Sequence, residues 1–253
     1  MTLSPEEKAR YRRHLLLPEI GGQGQQALKA ARVLVIGAGG LGCPILSYLT
    51  AAGVGTIGIC DGDVVEVSNL QRQTLYTDKD IGRPKVDCAS DQLRQQNPHC
   101  TIKAHPEYLT DANAEELIGS YDLAIEGLDR FAPRYVVNAA ARQTHTPWIS
   151  AAIGRFDGQV ALFDPRDAES PCYACLVPEA PMDDEAACER EGVLGAVPGI
   201  IGAVAAQEAI KWICGVHPTL SGQLIIYDGA STTMRRVTLP RDPNCPVCGV
   251  GNS

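Results

Sequence analysis

Arg32-Val33-Leu34-Val35-Ile36-Gly37-Ala38-Gly39-Gly40-Leu41-Gly42 decides how this chain folds. After Arg32 the run is apolar and β-branched without alternation, the pattern of a strand covered on both faces. Gly37-x-Gly39-x-x-Gly42 then turns the chain into a helix reaching about Ala52. Glycines at these spacings let backbone N–H groups approach an anion at the helix N-terminus. Asp61 stands 19 residues beyond Gly42. It closes the next strand, Thr56 to Cys60, where a carboxylate can accept from ribose hydroxyls. The fingerprint points to a nucleotide but does not choose NAD from ATP.

On either side of this unit, strands and helices alternate. Helices are expected from Ser4 to about Leu16, with Ser4 as cap and Pro5 at the first position, and over Gln23 to Ala31. Further helices are expected over Arg83–Gln96, Ala112–Ile118 and Phe131–Thr144. Strands fall at Thr101–Ala104, Asp122–Ile125 and Trp148–Ala152. That rhythm predicts an α/β fold with a doubly wound, mostly parallel, Rossmann-like sheet. After Gly154 it changes. Gly158–Phe163, Gln223–Tyr227 and Met234–Leu239 read as antiparallel strands extending the sheet. We expect one domain, with a helical arm at 1–31, a nucleotide-binding part at 32–153 and an antiparallel part at 154–253 that also carries paired cysteines.

The 253 residues are 45% apolar and 21% charged, with net charge −8. Such composition excludes a disordered or fibrous chain, and the acidic balance argues against nucleic acid or anionic lipid as a partner. Met1 to Arg13 has no apolar core of a secretory signal, so a cytoplasmic protein is expected. Val193–Val216 is the least polar stretch but carries Gln207, Glu208 and Lys211, and reads as a buried helix.

Four of the ten cysteines form two pairs, Cys172-x-x-Cys175 and Cys245-x-x-Cys248. Two such pairs about 70 residues apart fit a closed, structural zinc site with four cysteine ligands, with a redox dithiol as the other reading. Of the scattered six, Cys43, Cys60, Cys88, Cys100 and Cys214 read as small core residues. Cys188 lies in a polar stretch, Asp183 to Arg190.

Cations near the glycine loop favour phosphate chemistry over hydride transfer. Arg72 follows Asp61 closely, and Lys85 sits at a helix start in Gly82-Arg83-Pro84-Lys85. A guanidinium and an ammonium suit a transition state in which triphosphate charge shifts, and Asp129, past the strand ending at Ile125, suits Mg2+. Taken singly, Arg72 and Lys85 also have a reading as solvated surface charge.

Together Val33–Gly42, Ser68-Asn69-Leu70-Gln71-Arg72-Gln73, Gly82–Lys85, Cys172-Tyr173-x-Cys175 and Cys245-Pro246-x-Cys248 carry a resemblance. From about Tyr11 to Gly249 the chain resembles the ubiquitin-activating-enzyme-like adenylyltransferase family of the bacterial MoeB/ThiF type. The resemblance implies ATP- and Mg2+-dependent adenylation of the C-terminal glycine carboxylate of a ubiquitin-fold sulfur-carrier protein ending in Gly-Gly. It also implies a homodimer, a structural Zn2+ and a separate sulfur donor, a rhodanese or a cysteine desulfurase.

By resemblance the nucleotide contacts are Gly37, Gly39, Gly40, Gly42, Asp61, Asp63, Ser68, Asn69, Arg72, Lys85, Asp129 and Arg130. Arg72, Lys85 and Asp129 act on phosphates and metal. Arg13 reaches in from the partner subunit across a two-fold interface aided by the helix around Gly199 and Gly202. Cys188 matches a cysteine that bonds to the carrier or to sulfur. The chain departs from the family at Glu126-Gly127-Leu128-Asp129-Arg130, where Asp-Cys-Thr-Asp-Asn is usual. Molybdopterin, thiazole and tRNA-thiolation carriers are all compatible. A nicotinamide-dependent oxidoreductase and a nucleotide-binding adaptor without catalysis are the alternative readings.

Overall fold

In the computed structural model of the chain, residues 2–179 and 192–249 are described. One eight-stranded sheet carries them, ordered β3-β2-β1-β4-β5-β6-β7-β8. Its parallel half is β1 (Arg32–Ile36), β2 (Thr56–Cys60), β3 (Thr101–His105), β4 (Leu123–Glu126) and β5 (Trp148–Gly154). Parallel pairing holds from β3 through β5, with Leu34 beside Gly58 on one side and Ala124 on the other. From β5 onward pairing is antiparallel, through β6 (Asp157–Phe163), β7 (Gln223–Asp228) and β8 (Thr233–Thr238).

The unbroken apolar runs are explained by cover on both faces. Val33, Val35, Ile57, Ile59 and Ile125 enter one core, with Leu46 and Leu49 of α4 (Gly42–Ala52) and Val86 and Leu93 of α5 (Lys85–Gln96). Leu34, Ile36, Ala124, Trp148 and Phe163 enter the other, with Ile118 of α6 (Ala114–Gly119) and Val137 of α7 (Ala132–Thr144). Alternate side chains of one strand therefore serve opposite layers, and a shift of one residue in register would exchange both.

The long apolar helix, Ala196–Cys214, is long and apolar enough to cross a membrane by length and composition. It instead packs in the first core through Val197, Ile201, Ala205, Ala206 and Ala209. Gly202 makes the close approach possible. A Cβ there would strike Pro44 of α4 and the Leu41 carbonyl, so this glycine serves an internal contact, whereas Gly199 faces open space.

Several boundaries shift by a residue or two from expectation, and three of the differences have a clear physical cause. The first helix breaks at Tyr11, giving α1 (Pro5–Arg10) and α2 (Arg12–Leu15), before α3 (Gly21–Ala30). The Tyr11 ring is buried and lies against Gly53 while its hydroxyl accepts from Asn97, so tertiary contact overrides local continuity. The fifth helix starts at Lys85, because Pro84 has the extended ψ of a cap. Strand β4 extends to Glu126, a buried acid at a position expected to lie in a loop.

Candidate active site

β1 lies between β2 and β4, so connections diverge at its carboxyl end and leave a crevice there. The glycine loop fills this switch point. Gly37 has φ +92°, and its N–H donates to the Cys60 carbonyl at 2.8 Å. A Cβ at Gly42 would collide with the Gly37 carbonyl oxygen, so the loop closes this tightly only with glycine at 42. Asp61 accepts from Ala38 N–H at 2.7 Å and from Asp63 N–H at 2.8 Å. The expected ribose acceptor thus also ties the loop to the end of β2. Among the described residues no hydrogen bond uses the N–H groups of Gly39 and Gly40. They stand before α4, where an anion is favoured.

Both expected cations come to this loop. A Cβ on Gly40 would lie 3.5 Å from Arg72 Cγ, which places the arginine stem over the loop. Arg72 Nη1 donates to the Ser68 carbonyl at 3.0 Å, within a turn held by Asn69 Oδ1 accepting from Glu66 N–H at 3.2 Å. Lys85 is not solvated surface charge: its side chain is 7% exposed, and Nζ lies 2.7 Å from Asp63 Oδ2. Burial raises the Asp63 pKa, but bonds from Lys85 and Tyr108 outweigh it and hold the carboxyl below its ordinary range.

Asp129 and Arg130 follow β4 and are exposed. Gly127 N–H donates to the Ile36 carbonyl at 3.0 Å, and its carbonyl would lie 3.2 Å from a Cβ on Gly37. The loop bearing Asp129 is thereby brought against the glycine loop. Arg13 is exposed on α2, and no hydrogen bond or ion pair among the described residues joins it to this group. Cys188 lies outside the described residues.

Several supporting residues have little or no signature of their own in the sequence. Tyr76 donates to the Ala38 carbonyl at 2.7 Å from beneath the loop. Gln73 is buried, with Nε2 beside Gly39 and Oε1 without a partner among the described residues. Glu126 and Arg134 are buried under the Asp129 loop, and Tyr108 reaches Asp63 from beyond β3. Gln73 stands inside the Ser68–Gln73 motif and was findable there. A lone Glu, Arg or Tyr carries no comparable signature.

At the far end of the chain, Cys172 and Cys245 have Sγ atoms 3.6 Å apart, Cys175 and Cys248 3.4 Å, and all four lie within 4.8 Å. These separations exceed a disulfide bond of about 2.05 Å. They match the S···S edge of roughly 3.8 Å implied by tetrahedral Zn–S bonds of about 2.3 Å. Val247 and Cys248 N–H groups donate to Cys245 Sγ, and Asp242 N–H to Cys175 Sγ. Burial raises the Cys172 and Cys175 thiols, whereas the Val247 and Cys248 N–H groups outweigh burial at Cys245 and bring it down to about 7. The donor set fits Zn2+ and staples the segment after β6 to the C-terminal stretch. Cys43, Cys60 and Cys100 stand apart from this cluster, and burial pushes them up to about 12, in keeping with inert core thiols.

A glycine loop at a switch point, a ribose-type acid and two cations beside the loop define an α/β nucleotide-binding protein built for chemistry at phosphate. The chain belongs to the ThiF family, whose pattern matches residues 11–247. It is 44% identical over 253 residues to a sulfur carrier protein adenylyltransferase of Thermus thermophilus, covering 98% of this chain and 93% of that relative. It is 38% identical over 252 residues to the SAMP-activating enzyme E1 of Haloferax volcanii, covering 99% and 92%. With the probable adenylyltransferase/sulfurtransferase MoeZ of Mycobacterium tuberculosis it shares 46% over 247 residues, 96% of this chain but 63% of that one. In fold it is similar to E. coli MccB crystallised with MccA-N7isoASN, at TM-score 0.85 and 22% identity, covering 98% and 76%.

Proposed function

We propose that this chain is an adenylyltransferase that moves AMP from ATP to the C-terminal glycine carboxylate of a ubiquitin-fold sulfur-carrier protein and releases pyrophosphate. One observation carries the reading: the Gly39 and Gly40 N–H groups, unpaired among the described residues, the Arg72 stem and the Lys85–Asp63 pair meet at the carboxyl end of the parallel strands. The names of full-length relatives supply the substrate class.

The chemistry asks little else of the protein. A glycine carboxylate, with pKa near ~3.5, is ionised at neutral pH and attacks the α-phosphorus without a general base. What remains is alignment and neutralisation of the departing pyrophosphate. The Gly39 and Gly40 N–H groups face the phosphates, Asp61 the ribose, and Arg72 and Lys85 the charge that shifts. Asp129 would hold the Mg2+ that accompanies ATP, an ion that neutralises phosphate charge when bound. Ser68 and Asn69 shape the turn that presents Arg72, and Arg130 replaces the family's asparagine at the rim.

The test is ATP–pyrophosphate exchange with carriers of the molybdopterin, thiamine and tRNA-thiolation types. Exchange should require a carrier ending in Gly-Gly. Asp129→Ala should abolish it with the fold intact, and Lys85→Ala should cost roughly 10²-fold or more. Wild-type protein that exchanges with none of them, or without any carrier, would overturn the reading.

The same reading assigns Arg13 to the site of the partner protomer in a homodimer. Arg13→Ala mixed with Asp129→Ala should then recover partial activity, and no recovery after proven subunit exchange would remove that role. Cys188 belongs to sulfur delivery rather than adenylation. Cys188→Ala should keep exchange and lose any covalent adduct with the carrier by intact mass.

A further inference from the structure

We infer that Tyr108 is a positioning residue of this site, fixing Asp63 so that one carboxylate oxygen holds Lys85 at the phosphate end. The inference rests on the adenylation reading above.

Lys85 is attached to Asp63 twice. Its backbone N–H donates to the Asp63 carbonyl at 2.9 Å, and its Nζ donates to Oδ2 at 2.7 Å. The first bond sets where α5 begins, whatever the side chains do. The second depends on the rotamer of Asp63, whose side chain is 47% exposed on a loop. An aspartate so placed has several staggered wells open to it.

Tyr108 removes that freedom. Its hydroxyl donates to Asp63 Oδ1 at 2.5 Å, leaving Oδ2 for Lys85. The ring lies against Gly62, where a Cβ would come within 2.8 Å of it, so glycine at 62 gives the phenol its approach. Tyr108 is itself anchored, since Asn113 Nδ2 donates to its carbonyl at 3.0 Å and Asn113 Oδ1 accepts from Thr110 N–H at 2.8 Å. Yet the side chain is among the most exposed large hydrophobics, at 63%. Core packing therefore gives no account of an aromatic here, whereas the bond to Asp63 does.

The consequence is mechanical. Asp63 is held at its N–H by Asp61, at Oδ1 by Tyr108 and at Oδ2 by Lys85. An ammonium has three donors and, among the described residues, only Asp63 accepts from the Lys85 ammonium, which leaves two for phosphate oxygens. Holding it in place before ATP arrives favours charge that develops only in the transition state. Tyr108 thus acts on turnover through Asp63, without touching the reacting atoms.

Tyr108→Phe removes the donor and keeps the ring. It should lower kcat of carrier-dependent exchange about 3- to 10-fold while KM for ATP stays within about twofold. In an Asp63→Asn background the same change should add no further loss. An unchanged kcat, a loss confined to KM, or additive losses would overturn the inference. A second measurement needs no turnover. The Tyr108 phenol, read as the phenolate absorbance of wild type minus Tyr108→Phe, should titrate above the ordinary tyrosine range because Asp63 accepts from it, with Asp61 adding to that effect and Arg130 opposing it. Asp63→Asn should bring it down, and a normal titration in wild type would sink the proposal. Failure of wild-type exchange with every carrier would instead count against the adenylation reading, and the titration would still decide the Tyr108–Asp63 contact.

Discussion

Arg134 lies over Glu126 with Nε 3.6 Å from Oε1, and the two side chains grip the backbone of Leu128 from both sides. Leu128 N–H donates to Glu126 Oε2 at 2.9 Å, and Arg134 Nη2 donates to the Leu128 carbonyl at 2.5 Å. Ser150 donates to the remaining carboxylate oxygen. Both residues are buried, so the loop that carries Asp129 stands on a buried polar platform at the carboxyl end of the sheet.

This pair should be costly to break from one side. Arg134→Ala leaves a buried carboxylate without its cation and should destabilise by about 3–5 kcal/mol in denaturant unfolding. Burial already pushes the Glu126 carboxyl up, against the pull of Arg134 and Ser150. Glu126→Gln leaves the buried Arg134 guanidinium without its anion and should cost a similar amount, whereas removing both charges in Glu126→Gln/Arg134→Met should cost less than the two single losses added. Strictly additive losses in the double variant would show that charge is not what the platform balances.

The glycine loop makes a sharper steric prediction. A methyl at residue 42 meets the Gly37 carbonyl, a backbone atom that cannot rotate away. Gly42→Ala should lose about 1–3 kcal/mol of stability and, with the loop displaced, most nucleotide binding by calorimetry. Gly22→Ala, a change into open space on α3, should be roughly neutral and serves as the comparison.

The four cysteines should hold one Zn2+ per chain by elemental analysis of freshly purified protein. Because the ligands come from segments about 70 residues apart, metal binding contributes folding free energy. Chelation or Cys175→Ser should lower Tm, with a smaller effect on the specific exchange of protein that remains folded. Zinc-free protein of unchanged Tm would contradict this.

Acid stability should carry a mark of the N-terminal arm. Glu7 is buried, its carboxylate held 2.7 Å from Lys29 Nζ and 2.7 Å from Ser4 N–H. The Lys29 bond first, and the Ser4 bond next, hold its pKa below the ordinary 4.5. An acid with a depressed folded pKa stabilises fully above its unfolded value and loses that contribution as pH falls through the folded one. Wild type should therefore lose stability relative to Glu7→Gln as pH drops below 4.5, and the two curves should run parallel above about pH 6. Parallel curves throughout would mean the bond is no stronger folded than unfolded.

Residues read in chain order are enough to define the sheet half built on Val33–Ile36, the glycine turn, the acid at 61 and the two cysteine pairs. Each is local: unbroken β-branched runs, glycines at fixed spacing and close thiols are read within a few residues. Chain order also puts Arg72 and Lys85 near a nucleotide, but leaves open whether they are surface charge. Folding settles that question. Lys85 is buried because α5 begins against Asp63, and Tyr11 breaks the first helix because Gly53 and Asn97 wait across the core. Arg134 and Tyr108 carry no sequence signature for the same reason, and Glu126 stands out only as a departure from the family pattern. Their partners are separated in sequence, and a single charged or aromatic residue says nothing of what it meets until the chain has folded around it.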